Sequence, residues 1–354
     1  MRCVDPLRCD AQREVQVTTH IARWDLDKTY LRTDFDTVRA LVRTLFERAE
    51  AKQTHPGAAT LLRETARAGV EVHILSGSPE PMRSSLERKL RMDGVVWKTF
   101  TLKASLRDLV RLRIRALRDQ VGYKLCALFR ARATLVGDSV RVLGTETLVG
   151  DDSEADAFVY SLYADFLAGQ VDVGLLGEVL ERGHVYRDVI ADTLGAARRV
   201  VLVDAVERIL IHLDRQTPPA DFRRYGPRVV PFYNYLQAAF VLLEDGRLGA
   251  DSVVLVAAEL AVKHGFDGDA LARSYLELSR RGHLRGKQAG VLLAAIRAWL
   301  EQPHPIAATE LGVLADRLPA MAEHAGSDPD VHRSATHGSD YLATVEEHNR
   351  RGRK

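Results

Sequence analysis

Asp25 and Asp27 stand one residue apart, just after the short apolar run that begins at His20. Two carboxylates so spaced can leave a strand end toward one site, one as a nucleophile and the other giving and taking a proton. The same spacing also serves loops and helix caps. A second run, Val70 to Leu75, ends in Ser76-Gly77-Ser78. A hydroxyl at a strand terminus, followed by a residue that lets main-chain amides approach, suits a phosphate oxygen. The competing reading is a plain strand-to-helix turn with Ser78 as N-cap. A third run, Thr145 to Val149, ends in Gly150-Asp151-Asp152-Ser153-Glu154-Ala155-Asp156. Carboxylates clustered on a loop make a hard-oxygen site of the kind magnesium takes, although a charged helix cap would use the same residues.

The elements that must position these groups follow from periodicity. The first 215 or so residues alternate apolar runs of strand length with amphipathic stretches, which predicts repeated strand–helix–strand units and a parallel sheet with helices on both faces. Residues 35–51 and 57–68 read as helices, a long basic helical stretch runs to about Gln120, and another helix starts at Lys124. Val206 to Leu213 fits a strand or a helix. After Pro218, Pro219 and Pro227 mark a linker, five helical segments follow, over 229–244, 250–264, 269–280, 287–300 and 307–324. The expected organisation is a catalytic domain over 1–216, a helical domain over 217–325 and a disordered polar tail over 326–354. In open parallel sheets ligands bind beyond the carboxyl ends of the strands, where all three motifs stand.

Taken in order, Trp24-Asp25-Leu26-Asp27-Lys28-Thr29-Tyr30, then Leu75-Ser76-Gly77-Ser78-Pro79, then a lysine, then Gly150 to Tyr160 resemble the haloacid dehalogenase superfamily of phosphotransferases. More closely, they are similar to the catalytic domain of the actin-patch-associated phosphatidate phosphatases and their bacterial relatives, over roughly residues 15 to 215. The resemblance implies a Rossmann-like α/β fold and a magnesium-dependent phosphatase acting through an aspartyl-phosphate. Asp25 would be the nucleophile and Asp27 the acid and base. Thr29, Ser76 and Gly77 would contact the phosphoryl group. Lys124 would neutralise charge, with Lys98 and Lys103 as competitors. Asp25, Asp27 through its main-chain carbonyl, Asp151 and Asp156 would hold Mg2+, with Asp152 as an alternative ligand. The expected substrate is a phosphomonoester, phosphatidate or a related lipid phosphate first, a soluble or nucleic-acid-terminal phosphate second. A catalytically silent scaffold that recruits a partner through the C-terminal helices is the reading from another class.

Composition narrows the setting. Fifty Lys and Arg oppose 48 Asp and Glu, a formal charge of +2 that argues against stable nucleic-acid binding. The segment 83–118 departs from this balance, with eleven basic and three acidic residues, or +8. Interleaved leucines make parts of it a basic amphipathic helix, suited to peripheral membrane contact or to attracting an anionic substrate. No apolar run approaches the roughly 20 residues of a membrane span, and the first residues lack the apolar core of a secretory signal, so a cytoplasmic protein is expected. Cys3, Cys9 and Cys126 form neither a disulfide framework nor a zinc motif, and Cys126 reads as a core residue. His184, His212 and His264 read as surface or cap residues. Gly137-Asp138-Ser139 imitates the acidic loop but lacks the second carboxylate, and reads as a turn.

Overall fold

The computed structural model describes residues 19–32, 52–103, 117–135, 144–153, 155–325 and 339–351. The helix read over 35–51, the turn at Asp138 and Ser139, and Cys3 and Cys9 lie outside them.

Six strands form one parallel sheet: β1 (His20–Asp25), β2 (Glu71–Pro79), β3 (Thr99–Lys103), β4 (Thr145–Asp151), β5 (Val206–His212) and β6 (Val229–Phe232). Their spatial order is β3-β2-β1-β4-β5-β6, so the winding reverses between β1 and β4. The register sets Asp25 level with Leu75 and Trp24 level with Val149, which brings the three motif-bearing strand ends to one height.

Strand side chains alternate between faces, and the core divides accordingly. Ala22 and Trp24 of β1, Val72 and Ile74 of β2, Val149 of β4 and Leu210 of β5 face one buried cluster. Leu148, Ile209 and Ile211 face the other. The second face is covered by α3 (Leu117–Ala133), α4 (Asp156–Leu167), α5 (Val173–Arg182) and α6 (Arg187–Ala197). The first is covered by α1 (Ala58–Arg67) and α2 (Arg83–Met92), together with α7 (Tyr235–Glu244), α8 (Ala250–His264), α9 (Gly268–Arg280), α10 (Ala289–Leu300) and α11 (Ala308–Glu323).

The C-terminal helices share one continuous buried cluster with this face of the sheet. Trp24 of β1 stacks on Tyr235 of α7 at 6.0 Å between centroids. The sheet also runs past residue 216, because Val229-Val230-Pro231-Phe232 pairs with β5. This edge strand accepts its proline, as edge strands do, and replaces the first turns of the helix expected over 229–244. Val206–His212 is a strand. Helix ends follow their capping chemistry: the Asp267 side chain accepts from Ala270 N at 2.7 Å, and Gly265 ends α8 in the left-handed region at φ 68°.

Two further expectations are corrected. The basic stretch after Ser78 is not one helix, since α2 ends at Met92 and Thr99-Phe100-Thr101-Leu102-Lys103 pairs in parallel with β2. The polar tail is not wholly disordered, since α12 (Tyr341–Arg351) packs on α5 with Tyr341 and Val345 buried. Tyr341 Oη donates to Asp165 at 2.5 Å. Among the described residues no helix is long and apolar enough to cross a membrane.

Candidate active site

The chain leaves β1 through a tight turn in which Tyr30 N and Leu31 N both donate to Leu26 O, at 2.9 and 2.8 Å. Lys28 sits in this turn in the left-handed region, at φ 59°. A non-glycine residue held there costs on the order of 1–3 kcal/mol, and such strain gathers at functional sites. The turn carries Asp25, Asp27 and Thr29, all buried. Thr29 Oγ1 bridges Asp25 and Asp151, 3.3 Å from an oxygen of each. Its carbonyl accepts from the Tyr235 hydroxyl of α7. Thr29 thus orients two carboxylates.

β2 does not stop at Ser76. It continues through Pro79, and its pairing with β3 shifts register between Leu75 and Pro79. This irregularity turns two hydroxyls onto Asp27. Ser76 Oγ donates to Asp27 Oδ2 at 2.8 Å, and Ser78 Oγ lies 3.0 and 2.9 Å from Oδ1 and Oδ2. Ser78 N donates in turn to Ser76 Oγ at 3.0 Å. Ser78 is a site residue that sequence reasoning set aside as a helix cap; the alternating strand pattern, continued two residues further, would have found it. Open space surrounds the position that a side chain on Gly77 would take.

At the end of β4, Asp156 folds back from the first turn of α4, and its Oδ2 accepts Asp151 N at 3.1 Å. A Cβ on Gly150 would stand 2.3 Å from that oxygen, so only glycine admits this approach. Asp151 Oδ1 accepts Ser153 N at 2.6 Å. Asp152 does different work. Its two oxygens accept Arg215 N at 2.8 Å and Thr217 N at 3.0 Å, anchoring the loop after β5 outside the carboxylate group.

Lys124 reaches the site from α3 and is fully buried. Its ammonium pairs with Asp156 and lies 3.6 Å from Asp25 Oδ1. A glycine within this helix sacrifices about 1 kcal/mol of helix propensity. The helix needs it nonetheless, because a Cβ on Gly122 would come within 2.8 Å of Val185 Cγ1. The Tyr123 hydroxyl donates to Ser76 O at 2.9 Å and ties α3 to β2. Burial, then the nearby carboxylates, raises the phenols of Tyr160 and Tyr235, so both stay neutral hydrogen-bonding groups. Lys98 pairs with Glu71 at the opposite end of β2, far from Asp25. Lys103 lies over the Tyr123 ring, 6.0 Å from its centroid.

Oxygens of Asp25, Asp151 and Asp156 lie within 4.8 Å of one another, all buried. Hard, anionic donors at this separation suit a divalent cation bound through oxygen, so the residues fit the magnesium site expected. The carboxylate of Asp27 is turned to Ser76 and Ser78 instead.

The described part of the basic segment is largely paired. Arg83 contacts Glu80 and Glu87, Lys89 contacts Asp93, Arg91 contacts Glu87 and Lys98 contacts Glu71. Met92 and Val96 are exposed on the turn between α2 and β3, at the amino ends of the strands and away from the site. Residues 104–116, where the amphipathic pattern is strongest, lie outside the described residues.

Residues 21–141 match the model of the haloacid dehalogenase-like hydrolase family. The match supports a hydrolase of the general phosphatase type. No curated protein and no solved structure matches the chain.

Proposed function

We propose that the protein is a magnesium-dependent phosphatase that hydrolyses a phosphomonoester through an aspartyl-phosphate. The observation that carries this reading is the convergence of Asp25, Asp27, Lys124, Asp151 and Asp156 at the point where the sheet's winding reverses. Asp25 attacks phosphorus, forming the acyl-phosphate bond as the bond to the ester oxygen breaks, and protonated Asp27 gives its proton to that leaving oxygen. Asp27, now ionised, takes a proton from water. The resulting hydroxide attacks phosphorus, releases inorganic phosphate and returns Asp25 as a carboxylate. Ser76 and the Gly77 amide receive phosphoryl oxygens. Lys124 balances charge on the nucleophile and on the group in flight. Magnesium, held by Asp25, Asp151, Asp156 and the Asp27 carbonyl, supplies the remaining charge neutralisation.

Asp25→Asn should lower magnesium-dependent phosphate release from an aryl phosphate by at least ~10³-fold, with the fold intact by circular dichroism. Activity within tenfold of wild type would overturn the nucleophile. We infer from the motif resemblance that the rest of the substrate is a lipid, phosphatidate or a close relative. Phosphatidate vesicles assayed beside soluble phosphomonoesters test this part separately. Equal or better turnover of the soluble esters would remove the lipid and leave the chemistry standing.

A further inference from the structure

Two histidines and an aspartate outside the phosphoryl chemistry meet beside it. His55 precedes α1, His212 ends β5, and Asp214 follows in the next loop. One donor atom from each lies within 4.8 Å of the others. The imidazoles are only 7 % and 6 % exposed, which corrects the surface or cap role expected of His212. Yet His55 Nε2 and His212 Nδ1 have no hydrogen-bond partner among the described residues. A buried polar atom without a partner costs about 1–3 kcal/mol. Two that converge beside a carboxylate require a common explanation.

Packing does not supply it. The rings meet edge to face at 4.4 Å, and His212 lies 5.2 Å from the Tyr235 ring and 5.4 Å from the Phe232 ring. These contacts satisfy carbon surfaces and leave both nitrogens as they are. Asp214 Oδ1 is 3.8 Å from His55 Nε2, beyond hydrogen-bond reach.

The rest of each group is arranged as metal ligands are. The Lys28 main chain is a hydrogen-bond partner of both rings, which fixes one nitrogen of each and leaves the other its lone pair. Asp214 Oδ2 accepts from Ser153 Oγ at 3.2 Å. Burial, then the neighbouring His212 and Arg32, lowers the His55 pKa to about 3, and burial also lowers that of His212.

We infer that His55 Nε2, His212 Nδ1 and an Asp214 carboxylate oxygen form a three-ligand site for a divalent transition ion of the zinc class, distinct from the carboxylate centre. Imidazole donors favour such an ion over magnesium, which takes oxygen. Tetrahedral zinc with bonds of about 2.0–2.1 Å sets its donors roughly 3.4 Å apart, so a group whose donors lie within 4.8 Å of one another closes by no more than about 1.4 Å. Asp214, with a third of its side chain exposed, leaves a path for the ion and room for a water as fourth ligand. The ion would join the loop before α1 to the end of β5, directly beneath the Lys28 turn.

The test uses the full chain, stripped by chelator and held in excess magnesium to occupy the carboxylate centre, and titrates it with cobalt(II). One equivalent should produce the intense visible bands of four-coordinate, imidazole-bound cobalt, abolished by added zinc. His55→Gln and Asp214→Asn should each weaken binding by ~10²-fold or more, with metal-free melting temperatures recorded alongside. No uptake by the wild type, or variants binding within twofold of it, would overturn the site. If His55→Gln does not fold, Asp214→Asn on its partly exposed residue decides. The readout is metal uptake, so its result is independent of phosphatase activity.

Discussion

β1 and β4 carry two buried charge clusters on the same face of the sheet, and the two are built on opposite rules. Toward the strand starts, Glu146 accepts Arg23 through Nε at 3.0 Å and Nη2 at 2.9 Å, Arg132 Nη1 at 3.0 Å and the Tyr163 hydroxyl at 3.1 Å. One carboxylate there is saturated by four donors. Toward the strand ends, Lys124 pairs with Asp156 and lies 3.6 Å from Asp25 Oδ1, while oxygens of Asp25, Asp151 and Asp156 come within 4.8 Å of one another, leaving like charges face to face. The first cluster sets opposite charges against each other and holds β1, β4, α3 and α4 together. The second sets carboxylates against one another, an arrangement that a divalent cation would balance.

The comparison can be broken from either side. Glu146→Ala strands two buried guanidiniums and should cost about 3–5 kcal/mol in urea unfolding; a loss under 1 kcal/mol would deny the cluster its structural role. Its pH dependence has a definite sign. Burial opposes ionisation of Glu146, but Arg23 and Arg132 outweigh it and hold the carboxyl below its ordinary value. The stability it lends is thus complete above the unfolded value near 4.5 and is lost as pH falls through the lower folded value. Acid titration of the Glu146→Gln protein should lack this component.

Gly150→Ala drives a methyl group into Asp156 and should reduce kcat by about 10²-fold, as displacements near an ångström do. Wild-type kcat in that variant would mean Asp156 has no need of its present position. Asp25→Asn, besides abolishing turnover, should raise the stability of the magnesium-free protein by about 1 kcal/mol through relief of repulsion; a lower melting temperature would argue that the acidic cluster is balanced without a cation. Lys98→Ala, at the far end of β2, should change stability by less than about 0.5 kcal/mol and leave turnover untouched. An effect on kcat would reopen the choice of active-site lysine.

Much of the candidate site could be read before folding because the apolar runs of β1, β2 and β4 lead directly into Asp25, Ser76 and Asp151. The misses share a different cause. β3 is hidden because Lys98, Lys103 and the surrounding arginines give the stretch a helical, basic character, while the Thr-Phe-Thr-Leu-Lys strand is only five residues long. β6 is four residues with a proline, set among turn residues. α12 lies in a polar tail whose two buried apolar residues, Tyr341 and Val345, are spaced one helical turn apart. His212 and Asp214 stand two residues apart, but His55 lies far from them in the chain and only the fold brings it beside them.

The stacking of Trp24 on Tyr235 also sets a timetable for the newborn chain. Just over 200 residues separate the two rings, so the apolar face of β1 leaves the ribosome long before its cover exists. At about 5–20 residues per second, that face waits roughly 10–40 s for α7. Contacts of such long range are closed late in folding and make the final closure slow.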